Sequence, residues 1–394
     1  MRVARIVRLL CKSCLAQIHA RRMATVVAVI TAITKKNRLS LTSIGRALES
    51  RTFPKHDIKR VDRLLSNPLM WIDRHRFFAA MASSLLGTNP RPTILLDWTK
   101  CGALYALVAA VPVGGRAIPI YLEVHPEKLL GNSRIQRRFL RALKRVLPEG
   151  VRPILVTDAG FQGPFFLDVQ RLGWDFVGRL RGTGQVLTRQ GWIDLAGFYL
   201  RARLKAQSFG LCRLYRTANS VEAQIVLARI PSKGRHPWTR RRTGLGGVPP
   251  STITGSIDPW LLASSLSHPP EQVVALYAKR MQIEETFRDA KNHRYGWSLR
   301  HVRCHSPERL QVLLLLASIA MAAVSLIGAA AAAAGRDRHY QANTVRRRVL
   351  SDFVLGIAVS ARRDTVGLAP FIHLALARWR VILLEQSALF AGIT

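Results

Sequence analysis

The sequence predicts a mixed α/β protein of the α+β kind: a mixed sheet with helices packed on it, between helical regions at either end. Three observations carry this. Short apolar runs cluster between Thr93 and Leu180 and interleave with two amphipathic stretches of helical period. Residues before about 85, and most of the chain after Ser306, show helical spacing without strand alternation. Finally, 48% of the 394 residues are hydrophobic, enough to bury a core over two or three domains' length of chain.

The elements follow in order. In the N-terminal region, Ile44 and Leu48 keep helical spacing, and His56 to Leu65 places Ile58, Val61 and Leu65 on one face. Lys55, Lys59, Arg60 and Arg63 surround that face. Two short basic helices joined by a Pro54 turn read as a helix-turn-helix DNA reader or as an ordinary helical hairpin, and the charge of the chain favours DNA. Thr93 to Asp97, Leu104 to Val113 and Ile118 to Val124 read as strands, the last two joined by the hairpin signal Gly114-Gly115. Ser133 to Leu147 reads as helix, Pro153 to Asp158 as strand, Gly163 to Leu172 as helix and Asp175 to Leu180 as strand. From Gly182 to Ser264 the character is β-rich. It contains a basic loop, Lys233 to Pro250, with Arg240, Arg241 and Arg242, which suits a DNA backbone and solvent equally. Trp260 to Ser264 is a strand, and Pro270 opens one long helix to about Asn292.

Charge narrows the function. Lys+Arg is 60 and Asp+Glu 23, a formal net charge of +37, and a polyanionic partner relieves self-repulsion on that scale. The five cysteines form no disulfide framework at this length. Cys11 and Cys14 are a lone CxxC with no second ligand pair, so reducing cytoplasm is the expected compartment. Val312 to Ala334 is long and apolar enough to span a bilayer. Its alanine-rich end and the lack of a second such run favour a buried helix and no membrane.

Acids are scarce, so their placement is informative. Asp97 and Asp158 each end or closely follow an apolar strand, where a carboxylate has to be paired, solvated or bound to a cation; each also reads as a turn residue. On the long helix Tyr277, Arg280, Glu284 and Lys291 lie at offsets of three, four and seven. At about 100° per residue they share one face, with Glu285 and Arg288 as neighbouring decoys. The same stripe also reads as a solvated face with one ion pair. No Ser/His/Asp or Cys/His arrangement for covalent catalysis stands out.

Together Leu-Leu-Asp97-Trp-Thr, Val-Thr-Asp158-Ala-Gly-Phe and the Tyr277–Arg280–Glu284–Lys291 pattern resemble the DDE transposases of bacterial insertion sequences, in particular the IS-four family. Lys55 to Leu65 and Gln341 to Arg346 are similar to the branch of that family that includes the Tn-ten element. The resemblance implies an RNase H-like core in two parts, residues 89–182 and 259–304. A β-rich insertion at 183–258 separates them, an end-binding helical region at 1–88 precedes them, and a helical region for dimerisation and synapsis at 305–394 follows.

It further implies Mg²⁺-dependent cleavage by two ions (Mn²⁺ as a substitute) held by Asp97, Asp158 and Glu284, since oxygen ligands suit Mg²⁺. Tyr277, Arg280 and Lys291 would grip phosphates, and Trp260 would stack a flipped base or simply begin a buried strand. The implied partners are double-stranded DNA, as element ends and target, and a second copy of the chain. The implied activity is cut-and-paste transposition through a hairpin intermediate. A non-catalytic, decayed DNA-binding relative or an RNase H-like nuclease without strand transfer are the alternatives.

Overall fold

The computed structural model describes residues 3–216, 220–230, 259–293 and 296–389. Among these are thirteen α-helices and ten β-strands. The basic loop at Lys233 to Pro250, with Arg240, Arg241 and Arg242, lies outside the described residues. The chain divides into two compact units, one built from residues 1–153 and 279–389, the other from 154–278.

The first unit begins with five helices: α1 (Val3–Leu10), α2 (Ala20–Lys36), α3 (Leu41–Arg46), α4 (Pro54–Leu65) and α5 (Pro68–Leu86). Proline opens α4 and α5, where its missing N–H costs no helical bond, and Asn67 caps α5 by accepting from the Leu69 N–H. Next come β1 (Thr93–Cys101), β2 (Leu104–Val113) and β3 (Arg116–Pro126), an antiparallel meander. The expected hairpin between β2 and β3 turns on Gly114 and Gly115, both at positive φ (58° and 82°), where side chains with a Cβ are strained. The amphipathic α6 (Ser133–Val146) follows.

After an excursion into the second unit, the chain returns with α10 (Met281–Lys291), α11 (Pro307–Ala333), α12 (Asp352–Ala361) and α13 (Ala369–Ala388). Helix α11 is apolar all round, and a helix of that kind has to be buried. It is long and apolar enough to cross a membrane, and 94% of its most hydropathic window is buried inside the protein. Its buried Gln311 completes the edge of β3: the amide donates to Leu122 O (3.0 Å) and accepts from Val124 N (3.2 Å).

The second unit is also built on strands. β4 (Ile154–Thr157) and β5 (Asp175–Arg179) are parallel and joined by α7 (Gly163–Arg171). β6 (Gln185–Thr188), β7 (Gly191–Asp194), the short α8 (Leu195–Tyr199), β8 (Gln207–Leu214) and β9 (Val221–Ala228) make up the β-rich segment. β10 (Trp260–Ser264) pairs antiparallel with both β5 and β9, giving the strand order β4-β5-β10-β9-β8-β6-β7 within this unit. Helix α9 (Pro270–Ala278) closes it.

One expectation is corrected. The single helix read over 270–292 is two, α9 and α10, separated at Lys279 and Arg280. There Gln282 N–H bonds Lys279 O (2.9 Å) and Ile283 N–H bonds Arg280 O (3.1 Å), the tighter i→i+3 pattern of a helix start. No Pro or Gly marks the break. Tyr277 therefore does not share one continuous helix face with Arg280, Glu284 and Lys291.

Candidate active site

The first unit brings Asp97 and Glu284 to one guanidinium. Asp97 sits midway along β1, with Val108 of β2 as its register partner, and is 9% exposed. Its Oδ1 accepts from the Trp98 N–H (2.8 Å) and its Oδ2 from Arg280 Nη1 (3.2 Å). The other nitrogen of the same fork, Nη2, donates to Glu284 Oε1 one helical turn along α10. Arg280 is nearly enclosed while Glu284 is more open. Two acids this close repel unless a cation lies between them, and here the cation is an arginine, whose planar fork satisfies both.

Other contacts on α10 fix where Glu284 points, and these escaped sequence reading. Thr286 Oγ1 accepts from Ala117 N (2.8 Å), tying α10 to the start of β3. Arg116 Nε donates to the buried Asp289 at 2.6 Å. The decoys occupy each other: Arg288 Nη1 meets Glu285 Oε2 at 2.8 Å. A buried Thr and Asp on a helix rich in charge were the available signal, but their partners lie well over a hundred residues away.

Lys291, at the end of α10, is half-buried. Burial pushes its amine below the ordinary lysine range; Cys101 pulls it up, Arg300 pushes it further down, and Asp97 pulls it up. It is thus within electrostatic reach of Asp97. Burial in turn raises the Cys101 thiol to about 11, against the pull of Lys291.

The second unit holds the remaining site residues. Asp158 follows β4 directly, is half-buried, and accepts from the Gly160 N–H at 2.9 Å. That is the turn geometry the Asp-Ala-Gly sequence allows. Trp260 opens β10 half-buried, with its ring 4.8 Å from that of Tyr277 at 76°, an edge-to-face pair. Tyr277 is buried, at 2% exposure, so the aromatic presented outward is Trp260.

Lys55 and Lys59 on α4 are exposed. Arg60 is half-buried and donates to Thr25 Oγ1 of α2 (3.1 Å), so part of its charge serves packing between helices.

Among the described residues no group of three or more His, Cys, Asp or Glu side chains is assembled to hold a metal ion. The donor chemistry of Asp97 and Glu284 nonetheless fits a hard divalent cation: two carboxylates already share one positive charge. A family model described as transposase DDE domain matches residues 105–323, more than half of the chain. The span takes in Asp158, Trp260, Tyr277, Arg280, Glu284 and Lys291 and begins after Asp97. No curated protein matches the chain.

Proposed function

This chain belongs to the family of transposase DDE domains, with their RNase H-like fold, and from that premise we propose that it is a cut-and-paste DNA transposase of the IS-four family. In this reading a homodimer binds the terminal inverted repeats of its own element, cleaves them by hydrolysis and hairpin transesterification, and joins the 3′-OH ends to target DNA. The observation that carries the reading is the Arg280 bridge. It draws together Asp97 and Glu284, two acids from distant parts of the sequence, in a strongly basic chain.

Domains of this family generally use divalent metal ions. Asp97, Asp158 and Glu284 are the residues proposed to hold them, as Mg²⁺. Such ions, when bound, supply activation of the attacking oxygen and charge stabilisation of the leaving oxygen. The chain's own residues do the rest. Arg280, released from the acids, turns its fork to a phosphate beside the scissile bond, and Lys291 supplies a second cation there. Trp260, packed edge-on by Tyr277, offers its outward face to a flipped base. The exposed Lys55 and Lys59, with Arg60, contact DNA from the N-terminal helices, where element ends are recognised.

The test is cleavage of DNA carrying the element ends in the presence of Mg²⁺. Glu284→Gln and Asp97→Asn are expected to lower the cleavage rate by more than about 100-fold while both proteins still bind DNA. Wild-type-level cleavage by either variant would sink the assignment. Recovery of joined products separates a transposase from a nuclease that only cuts.

A further inference from the structure

Helix α6 carries six basic residues and no acid. Its apolar face, with Phe139, Leu140, Leu143 and Val146, is buried; the Phe139 ring lies 5.0 Å from that of Tyr121 on β3. Opposite that face run Arg134, Arg138, Arg141 and Arg145, all exposed. At 100° per residue these four fall within about 60° of one another, a single ridge pointing away from the core. From first to last the ridge rises about 16 Å, close to five base-pair steps along one strand of a duplex.

The charge on this ridge is only partly offset. Glu123 accepts from Arg138 at 3.3 Å, yet the Arg138 side chain stays 61% exposed. Beneath the ridge, His75 stacks on Tyr121 and titrates at about 4, held down by burial first and then by Arg74 and Arg145. The ridge also lies away from the acid pair. On β3, Leu122 lines a small cavity with Thr286 and Phe287 of α10, whereas Tyr121 and Glu123, on the alternate side of the strand, meet α5 and α6.

We propose that the α6 ridge is a second DNA-binding surface, which holds the phosphate backbone of a duplex segment separate from the one engaged at Asp97 and Glu284 and reads no bases. Arginine forks match phosphate oxygens in pairs, and evenly spaced cations on one helix face suit a repeating polyanion more than a single anion. The proposal rests on the reading of this chain as a protein that acts on DNA.

The experiment measures binding of the full chain to a fluorescent 30-base-pair duplex of arbitrary sequence across a KCl series, by anisotropy. Changing Arg134→Gln, Arg141→Gln and Arg145→Gln together spares Arg138 and its bond to Glu123. This variant is expected to flatten the plot of log K against log[salt] by about 2 to 3 units, roughly 0.9 for each phosphate no longer neutralised. The matching triple Lys variant is expected to keep the wild-type slope, because the charge remains. An unchanged slope in the Gln variant overturns the proposal. Equal loss in the Lys and Gln variants, with normal thermal melts, overturns it too. Cleavage of element-end DNA by the unaltered protein is followed in parallel. Cleavage with an unchanged slope fails the α6 surface alone, and a flattened slope without cleavage fails the transposase reading alone.

Discussion

Arg280 does at the residue scale what a metal ion would otherwise do: it keeps Asp97 and Glu284 side by side. Removing it leaves two carboxylates facing each other, so Arg280→Gln is expected to lower metal-free stability by about 2 kcal/mol. If Asp97 and Glu284 hold Mg²⁺ as proposed, the same change removes a cation that competes with it, so added Mg²⁺ should raise the melting temperature of the variant more than that of the parent. Equal Mg²⁺-induced shifts in thermal melts would exclude this competition. His75 gives a second test. Its folded-state pKa, about 4, lies below the ordinary 6.5, so between these values the unfolded chain binds a proton that the native one does not. Stability is therefore full above pH 6.5 and is lost as pH falls through about 4. After discounting for partial exposure the loss is on the order of 1–2 kcal/mol. His75→Phe keeps the stack on Tyr121 and should flatten urea-derived stability across that window. The acids of the candidate site stand out in the sequence, because acids are rare in this chain and Asp97 and Asp158 follow apolar strands. What could not be read was the company they keep. That Glu284 pairs with Arg280 while Glu285 pairs with Arg288 depends on which side of α10 meets β1 and β3, and both acids have an arginine one turn away in sequence.

Among the elements, α11 and α12 approach each other closely in a way that the sequence left unmarked. A Cβ added at Gly328 would lie 1.8 Å from Asp352 O, and one at Gly356 would lie 1.9 Å from Val324 O. Each backbone leaves no room for a side chain on the other. Gly328→Ala and Gly356→Ala are each expected to cost about 1–3 kcal/mol, the usual range for overpacking. A denaturation midpoint equal to the parent's for either would show that the two helices can part without loss. Strands β1 to β5 and helices α6 and α7 were readable because period-two and 3.6-residue patterns are local, and Gly114-Gly115 announces its turn. The break between α9 and α10 was not readable. It has no proline or glycine, and the residue standing at it, Arg280, is held by Asp97 from another part of the chain. For α11, the alanine-rich end and the lack of a second apolar run already favoured a buried helix over a spanning one, but nothing in the sequence says what buries it. The packing of α2, α5, β3, α12 and α13 around it shows what it is buried against.

For the whole molecule, the charge of +37 is a standing cost that counterions reduce. Stability in DNA-free buffer is therefore expected to rise as NaCl goes from about 10 to 150 mM, over which the Debye length falls from roughly 30 to 8 Å. A melting temperature that falls over that range would mean that attractive ion pairs outweigh the net repulsion. The first unit is also discontinuous, with residues 154–278 lying between its two parts. During synthesis, Asp97 leaves the ribosome long before Arg280 and Glu284. A chain interrupted between the end of β1 and Lys279 has β1 and its acid but neither the arginine nor the glutamate that meets it, and it lacks the helix α11 against which α1, α2, α4 and α5 pack. Prematurely terminated products therefore lack the acid pair altogether, and any activity that depends on the pair belongs only to chains that have been translated past the second unit.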